Sequence, residues 1–455
     1  MCGPGHDHAC ERRTQAPFDL VESPGRLDPI GPLDPALQAR LTRVSGSPLT
    51  RTNGVRLLRD GADTFTAMLA LIEEAEREIL LENYILRADA VGNAFGEAVR
   101  VRAKDGVDVR ILHDPFGDPL SMFSLHWQFG RSPARLSVYN PPRPTLRYLR
   151  AWRDHRKLIV QDRARLVAGG LCVADVWLGN CVRQCTWRDS AVLVDGGAAS
   201  HAAEELDRLW RDAFALTWRR RTAHPPPSPP PAVVGDVPVR VLADGPGRRC
   251  TEQALVAAID AARSEVLITN QYAVPTPPMT EALVAAGRRG VDVQLIVPPA
   301  SHPFFVGFAT EHRLGRLLEA GLKVWYWSGA MMHAKTVVID RCWSLVGSTN
   351  LDWLSLRRNA EMNIEIHGSR VGEQMAEMFV VDRAGCTPFS VREWQARQPP
   401  CRPDRTPGAH AHPDTQDRRT NFSSRAVGPY PVEGLWTDLQ SSPRRRARTR
   451  SRDST

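Results

Sequence analysis

The stretches HRKLIVQD (residues 155–162) and HAKTVVID (residues 333–340) share one spacing of histidine, lysine and aspartate. This spacing, H-x-K-x-x-x-x-D, uses two of the only four lysines among 455 residues, although the chain contains 59 basic residues. Because lysine is so rare in this chain, chance is a poor explanation for finding the pattern twice. The two stretches therefore predict a repeated unit in which the histidine and lysine have a function.

Other landmarks repeat at nearly the same distance. VRLLRDG begins at Val55 and VRVLADG at Val239, 184 positions later, and the GVDV stretches at Gly106 and Gly290 are also 184 positions apart. The two motif histidines are separated by 178 positions. Each half reads as strand, amphipathic helix, apolar strand, helix and apolar strand, which predicts a duplicated α/β layered fold.

The composition predicts how the chain is divided. The run HPPPSPPPAVV, residues 224–234, forbids helix and favours an extended linker between the halves. The arginine-rich end SPRRRARTRSRDST is typical of disorder. We expect five segments: a partly disordered N-terminal extension (1–50), a first domain (51–222), a Pro-rich linker (223–235), a second domain (236–395) and a disordered basic tail (396–455).

The net charge of +8 is concentrated at the C-terminal end. Residues 391–455 carry 13 arginines and seven acidic residues, a net charge of +6, which leaves +2 for residues 1–390. A nearly neutral body argues against a nucleic-acid groove, so we expect no nucleic-acid partner. The sequence shows no apolar run of the roughly 20 residues that span a bilayer, no secretory signal and no disulfide framework. These features predict a cytoplasmic location.

The motifs suit phosphoryl transfer. Histidine and lysine at positions i and i+2 of a strand project from the same face, so two pairs can converge in one site. The lysines would neutralise phosphate oxygens, while one histidine attacks phosphorus and the other protonates the departing alkoxide. Asp162 and Asp340 come near strand ends before a turn, where we expect them to orient backbone or neighbouring side chains. We expect no metal ion and no other cofactor.

The duplicated motif, followed by Gly169–Gly170 in the first half and by GSTN (347–350) in the second, resembles the phospholipase D superfamily. RDHRKLIVQD, WRDSAVLVDG and VGSTNLDWLSLRRNAEMNIEI are similar to bacterial cardiolipin synthases, in a short form without transmembrane helices. The resemblance covers about residues 51–395. It implies two homologous phospholipase D-like α/β sandwich domains that form a pseudo-twofold unit with one shared active site.

The resemblance also implies a role for each site residue. His155 would be the nucleophile and His333 the general acid, although the sequence alone does not distinguish the two halves. The implied catalytic residues are His155, Lys157, Asp162, His333, Lys335 and Asp340; Ser348 and Asn350 would bind the phosphate with the two lysines; Asp189 and Glu361 would orient the histidines. One position departs from the family, because Cys172 stands where the first motif normally has a phosphate-binding asparagine. Either a donor is lost there, or a small buried residue has drifted without consequence.

The function implied by the resemblance is phosphatidyl transfer, with cardiolipin made from phosphatidylglycerol through a phosphohistidine. The implied partners are anionic phospholipids and the inner face of the cell membrane, to which the protein would bind peripherally; the oligomeric state stays open. Three alternatives remain: a phospholipase D-type hydrolase, a nuclease of the same superfamily, and a catalytically weak lipid-binding scaffold. The aromatic segments 119–130 and 301–310 either receive acyl chains or belong to the core.

Overall fold

A computed structural model gives the fold of this chain, and it describes residues 35–118, 132–140, 152–178, 186–215, 234–299 and 313–397. Four sequence predictions fall wholly or largely outside these residues. They are the partial disorder of the N-terminal extension, of which residues 1–34 are not described, the two aromatic segments, most of the Pro-rich linker and the basic tail.

The described residues of the first half alternate between strands and helices. The strands are β1 (Thr50–Leu58), β2 (Glu78–Asn83), β3 (Asp108–His113), β4 (Arg135–Val138), β5 (Leu158–Gln161), β6 (Arg165–Gly169), β7 (Trp187–Arg188), β8 (Ala191–Asp195) and β9 (Phe214–Ala215). The helices are α1 (Pro35–Ser45), α2 (Gly61–Glu74), α3 (Ala90–Lys104) and α4 (Gly197–Asp212). Asp60 and Asp89 start α2 and α3 by accepting hydrogen bonds from the first helical turn, which is the usual N-cap function of aspartate.

The second half contains a matching series. The strands are β10 (Val237–Ala243), β11 (Glu265–Asn270), β12 (Asp292–Val297), β13 (Lys323–Trp327), β14 (Met331–Met332), β15 (Lys335–Ile339), β16 (Trp343–Gly347), β17 (Met362–His367) and β18 (Cys386–Phe389). Its helices include α5 (Cys250–Ala261), α6 (Pro277–Arg288), α7 (Trp353–Arg357), α8 (Ser369–Ala384) and α9 (Val391–Arg397). All six residues of β2 and five of six in β11 are buried, as the apolar runs in both halves predict.

Apart from β7 and β14, which pair with each other, the described strands of the two halves follow the same order in one continuous sheet. From the centre outward, the first half runs β1, β8, β6, β5, β2, β3, β4, β9 and the second runs β10, β17, β16, β15, β11, β12, β13, β18. The halves join at the centre, where β1 pairs antiparallel with β10. The predicted α/β architecture with a large sheet is confirmed. The pseudo-twofold relation between the halves stays a prediction.

Buried apolar side chains form three layers around the strands. One cluster packs α2 and α3 against strands of the first half. A second packs α1, α5 and α6 against strands of the second half. The third joins both halves, because it combines α4 and α8 with strands from each. Burial of this shared apolar surface stabilises the contact between the halves.

Two similar hairpin turns follow the motif strands. Asp162 and Arg163 have φ values of 50° and 56°, and Asp340 and Arg341 have φ values of 49° and 53°. Two successive residues with positive φ are typical of a type I′ turn, whose twist matches that of a β-hairpin. The last residue of each motif therefore begins the turn that joins β5 to β6 or β15 to β16.

The helices α4 and α8 contain 16 residues each. In the described ranges, every helix is too short or too polar to be a candidate membrane span.

Candidate active site

The two motif histidines lie where the halves meet. The backbone N–H of His155, just before β5, donates to the carbonyl of Ala360 in the second half at 2.9 Å. The backbone N–H of His333, just before β15, donates to the carbonyl of Arg188 in the first half at 2.7 Å. Each histidine is therefore held by the backbone of the opposite half.

Each imidazole also contacts a buried carboxylate from the opposite half. His155 Nδ1 lies 3.0 and 3.1 Å from the two carboxylate oxygens of Glu361. His333 Nδ1 lies 2.5 Å from Asp189 Oδ2. Because a carboxylate accepts the Nδ1 proton, Nε2 is the nitrogen that remains for chemistry in each ring. The sequence did not assign either carboxylate to a histidine, and the structure pairs them crosswise.

Gly170 has no side chain, and the Asp189 carboxylate occupies the space that a Cβ atom at this position would take. A Cβ atom at position 170 would lie 2.2 Å from Asp189 Oδ1, far inside van der Waals contact. The carboxylate is further held by the backbone N–H of Ser190 at 2.8 Å and by the indole N–H of Trp177 at 3.1 Å. The second glycine of the GG pair thus permits a fixed carboxylate behind His333.

The two motif lysines are buried beside the histidines. Lys335 Nζ lies 3.1 Å from His333 Nδ1 and 3.4 Å from Gln271 Oε1. Lys157 Nζ lies 5.1 Å from the centre of the Tyr84 ring. Burial lowers the pKa of Lys335 to about 8, an effect that Asp189 opposes and Lys157 reinforces. The two ammonium groups therefore repel each other in a region that a phosphate anion would neutralise.

The environment also holds both imidazoles in the neutral form. Burial lowers the pKa of His155, and the charge of Glu361 opposes this effect. Burial, reinforced by Lys335, lowers the pKa of His333 to about 3 although Asp189 opposes it. A neutral imidazole has the lone pair that a nucleophile needs. For His333 to act as a general acid, its pKa must rise, and the negative charge of a bound phosphate would raise it.

The predicted phosphate-binding residues have different surroundings. The Ser348 hydroxyl donates to Glu361 Oε2 at 2.5 Å, so it supports the carboxylate that orients His155. Asn350 is 5% exposed, and its Oδ1 has no hydrogen-bond partner in the described part of the chain. Cys172 is 1% exposed; burial raises the pKa of its thiol, and the charge of Lys157 opposes this effect. The phosphate-binding role of Ser348 and Asn350 stays a prediction.

Three aromatic side chains surround the histidines, and the sequence analysis did not single them out. Tyr84 meets His155 edge to face with 4.8 Å between ring centres. Trp177 and Trp187 lie 5.3 and 5.4 Å from the His333 ring. In the sequence, only their positions could have indicated them: Tyr84 directly follows β2, and Trp187 lies two residues before Asp189.

The motif aspartates have no direct contact with the histidines. Asp162 accepts hydrogen bonds from three successive backbone N–H groups, those of residues 76–78, at 2.8–2.9 Å. Asp340 does the same for residues 263–265 at 2.8–3.0 Å. Burial would raise the pKa of Asp340, but these backbone hydrogen bonds outweigh it and lower the pKa. Both carboxylates therefore fix the start of a neighbouring strand, β2 or β11.

Comparison with known proteins agrees with this fold. The family model described as "Cardiolipin synthase, PLD-like domain" matches residues 255–383. In solved structures, the fold is similar to that of phosphatidylserine synthase from Haemophilus influenzae Rd KW20, with a TM-score of 0.61 and 16% identity over 80% of this chain and 93% of that one. Residues 255–383 therefore resemble a phospholipase D-like domain, and the likeness to the solved structure supports the predicted fold.

Relatives with a named activity indicate which phospholipase D-like proteins this chain is similar to. The chain is 29% identical over 357 residues to the major cardiolipin synthase ClsA of Bacillus subtilis, covering 76% of this chain and 72% of that protein. It is 27% identical over 374 residues to a cardiolipin synthase of Geobacillus kaustophilus, covering 81% and 74%. The predicted resemblance to bacterial cardiolipin synthases is confirmed.

Proposed function

We propose that this chain is a phosphatidyltransferase that converts two molecules of phosphatidylglycerol into cardiolipin and glycerol. The observation that carries the proposal is the crossed pairing of His155 with Glu361 and of His333 with Asp189. This pairing leaves Nε2 of two neutral imidazoles for chemistry beside two buried lysines, a set of groups suited to a phosphodiester. Similarity to cardiolipin synthases supports the choice of substrate.

The proposed reaction has two steps. Binding of the phosphate anion first lets His333 take up a proton on Nε2 from solvent. His155 Nε2 then attacks the phosphorus of one phosphatidylglycerol, the bond from phosphorus to the glycerol oxygen breaks, and His333 gives that oxygen its Nε2 proton. His333 then takes a proton from the hydroxyl of a second phosphatidylglycerol, whose oxygen attacks the phosphohistidine. The phosphorus–nitrogen bond breaks, cardiolipin leaves and His155 is regenerated. Lys157 and Lys335 neutralise the phosphate oxygens in both steps.

Lipid is the proposed acceptor rather than water because the reacting groups are poorly accessible. The side chains of His155 and His333 are 13% and 9% exposed, and a closed site limits hydrolysis of a reactive intermediate. We further propose that residues 51–222 and 236–395 form two homologous domains that share this site. The enzyme would work at the cytoplasmic face of the membrane, bound peripherally to anionic phospholipid.

Product analysis tests the proposal. The purified protein is incubated with phosphatidylglycerol vesicles, and cardiolipin, phosphatidic acid and glycerol are measured by mass spectrometry. We expect cardiolipin and glycerol in equal amounts, no product from His155→Ala, and normal turnover from His201→Ala, which changes a histidine of α4 outside the site. Phosphatidic acid as the main product would indicate a hydrolase. Cleavage of DNA without cardiolipin would indicate a nuclease, and the absence of any turnover would indicate a scaffold.

A further inference from the structure

Three apolar side chains stand out by their exposure. Among the described residues, Leu354, Phe116 and Trp353 are the most exposed large hydrophobic side chains, at 59%, 53% and 52%. Phe116 lies in the loop after β3, and the other two begin α7. We call these three residues the apolar rim. Exposed apolar side chains that occur together mark surfaces that bind another apolar phase.

The first part of the apolar rim is linked to His155. The Phe116 ring centre lies 4.4 Å from the guanidinium carbon of Arg153. The Arg153 carbonyl accepts a hydrogen bond from Ala360 N–H at 2.7 Å, and the Ala360 carbonyl accepts from His155 N–H at 2.9 Å. Phe116 is therefore separated from the His155 backbone by one arginine and one hydrogen-bonded residue.

The second part of the apolar rim is linked to the carboxylate of the same histidine. The Trp353 ring centre lies 5.2 Å from the guanidinium carbon of Arg358, which is three residues before Glu361. Trp353 also follows Asp352, whose carboxylate caps α7 by accepting from Ser355 N–H at 2.9 Å. Each aromatic ring thus contacts an arginine that is close in sequence to one member of the His155–Glu361 pair.

A third arginine, Arg249, is near the arginines that contact these rings, because its ring partner Trp152 directly precedes Arg153 and the charge of Arg358 acts on it. The Arg249 guanidinium carbon is 4.2 Å from the centre of the Trp152 ring, and Arg249 Nη1 has no hydrogen-bond partner among the described residues. Burial lowers the pKa of Arg249, and the charges of Arg357 and Arg358 add to this effect although Asp244 opposes it. The repulsion among these guanidinium groups would be relieved by an anion.

We propose that the apolar rim, together with Arg249 and Arg358, is a docking surface that sets the mouth of the site on an anionic lipid bilayer. Aromatic and leucine side chains partition into the boundary between headgroups and acyl chains, while nearby arginines bind lipid phosphates. A surface with both features matches a bilayer containing phosphatidylglycerol. This inference rests on the proposed function, because it supplies the route by which a lipid phosphate reaches the histidines.

The test measures vesicle binding without turnover, so that its failure is distinguishable from failure of the proposed chemistry. Full-length protein carrying His155→Ala is sedimented with vesicles of phosphatidylglycerol or of phosphatidylcholine. We expect stronger binding to phosphatidylglycerol. Adding Phe116→Ser, Trp353→Ser and Leu354→Ser together should weaken binding by at least about tenfold, since each removes buried apolar area at the interface.

Two further variants separate the apolar and ionic contributions. Arg249→Gln with Arg358→Gln should reduce the preference for phosphatidylglycerol and the sensitivity of binding to salt. The matched control is Val101→Ser with Arg100→Gln, on the exposed face of α3, where Val101 is 43% exposed; it should bind as the parent does. Leu354→Ser alone provides a mild variant if the triple variant does not fold. Unchanged binding of the folded rim variants, or equal weakening by the control, would overturn the proposal.

Discussion

Glu361→Gln separates the charge of this carboxylate from its hydrogen bonds. Glu361 accepts from His155 Nδ1 at 3.0 Å and from the Ser348 hydroxyl at 2.5 Å. An amide can keep both contacts, because its oxygen accepts from His155 while its NH₂ group donates to Ser348. The Ser348 hydroxyl can then donate to the Met362 carbonyl, 3.3 Å away. The variant therefore lacks the negative charge beside His155 but keeps the ring orientation.

The size of the effect follows from the hydrogen bonds that remain. A hydrogen bond to a charged group contributes about 1.5–3 kcal/mol and a neutral one about 0.5–1.5 kcal/mol. The His155 ring becomes positively charged when it is phosphorylated, and the charge of Glu361 stabilises it at that step. A difference of roughly 1–1.5 kcal/mol there corresponds to about a tenfold lower rate. Glu361→Ala also loses the ring orientation, so its loss should be nearer 10³–10⁴-fold, roughly that of a serine protease triad whose orienting carboxylate is replaced.

The assay is single-turnover formation of cardiolipin, measured across pH and accompanied by a melting temperature. Because the charge of Glu361 raises the pKa of His155 against the effect of burial, its removal should move the acid limb of the pH–rate profile to lower pH. Glu373→Gln, an exposed carboxylate of α8, is the control. Ser348→Ala added to Glu361→Gln should increase the loss, because the amide then has no acceptor. Equal rates for the Gln and Ala variants would refute this reasoning.

The remaining predictions concern the histidines, two neighbouring positions and metal ions. His155→Ala and His333→Ala should each reduce turnover to background without lowering the melting temperature; retention of about half the activity would instead indicate two independent sites. Gly170→Ala should lower the rate by roughly 10²-fold, because the new Cβ displaces the Asp189 carboxylate, and a wild-type rate would contradict that contact. Cys172→Asn should raise turnover about tenfold by restoring an amide donor; an unchanged rate in a folded protein would favour a site shaped for another acceptor. Excess chelator should leave cardiolipin formation unchanged, and metal-reversible inhibition would exclude the two-histidine mechanism.

The sequence predicted the α/β fold because local patterns carry most of that information. The buried run EILLEN became β2, and the corresponding run EVLITN became β11. The repeat also indicated that the two halves would contain the same elements. The pairing of β1 with β10 had no such signal, because Thr50 and Val239 are opposite each other although far apart in sequence. That contact depends on how the halves pack.

The candidate site was predictable as a set of residues but not as a set of contacts. Both carboxylates were expected to orient histidines, yet which histidine each one meets depends on the docking of the halves. The phosphate-binding role of Ser348 stays a prediction, but the hydrogen bond from its hydroxyl to Glu361 had no sequence signal. Tyr84 and Trp177 were missed because an aromatic residue in an apolar stretch is more often part of the core. Their relation to the histidines appears only when distant segments are brought together.

The crossed pairing has a consequence for the ancestry of such a chain. Since each histidine takes its carboxylate from the opposite half, a gene encoding one half alone would need two copies of its product to assemble the same four groups. Fusion into one polypeptide guarantees equal amounts of both halves and releases them from the need to stay identical. Cys172 and Asn350, which occupy equivalent positions in the two motifs, are one place where the halves differ. Truncation of either half would remove the carboxylate that contacts the remaining histidine, so the site requires both halves.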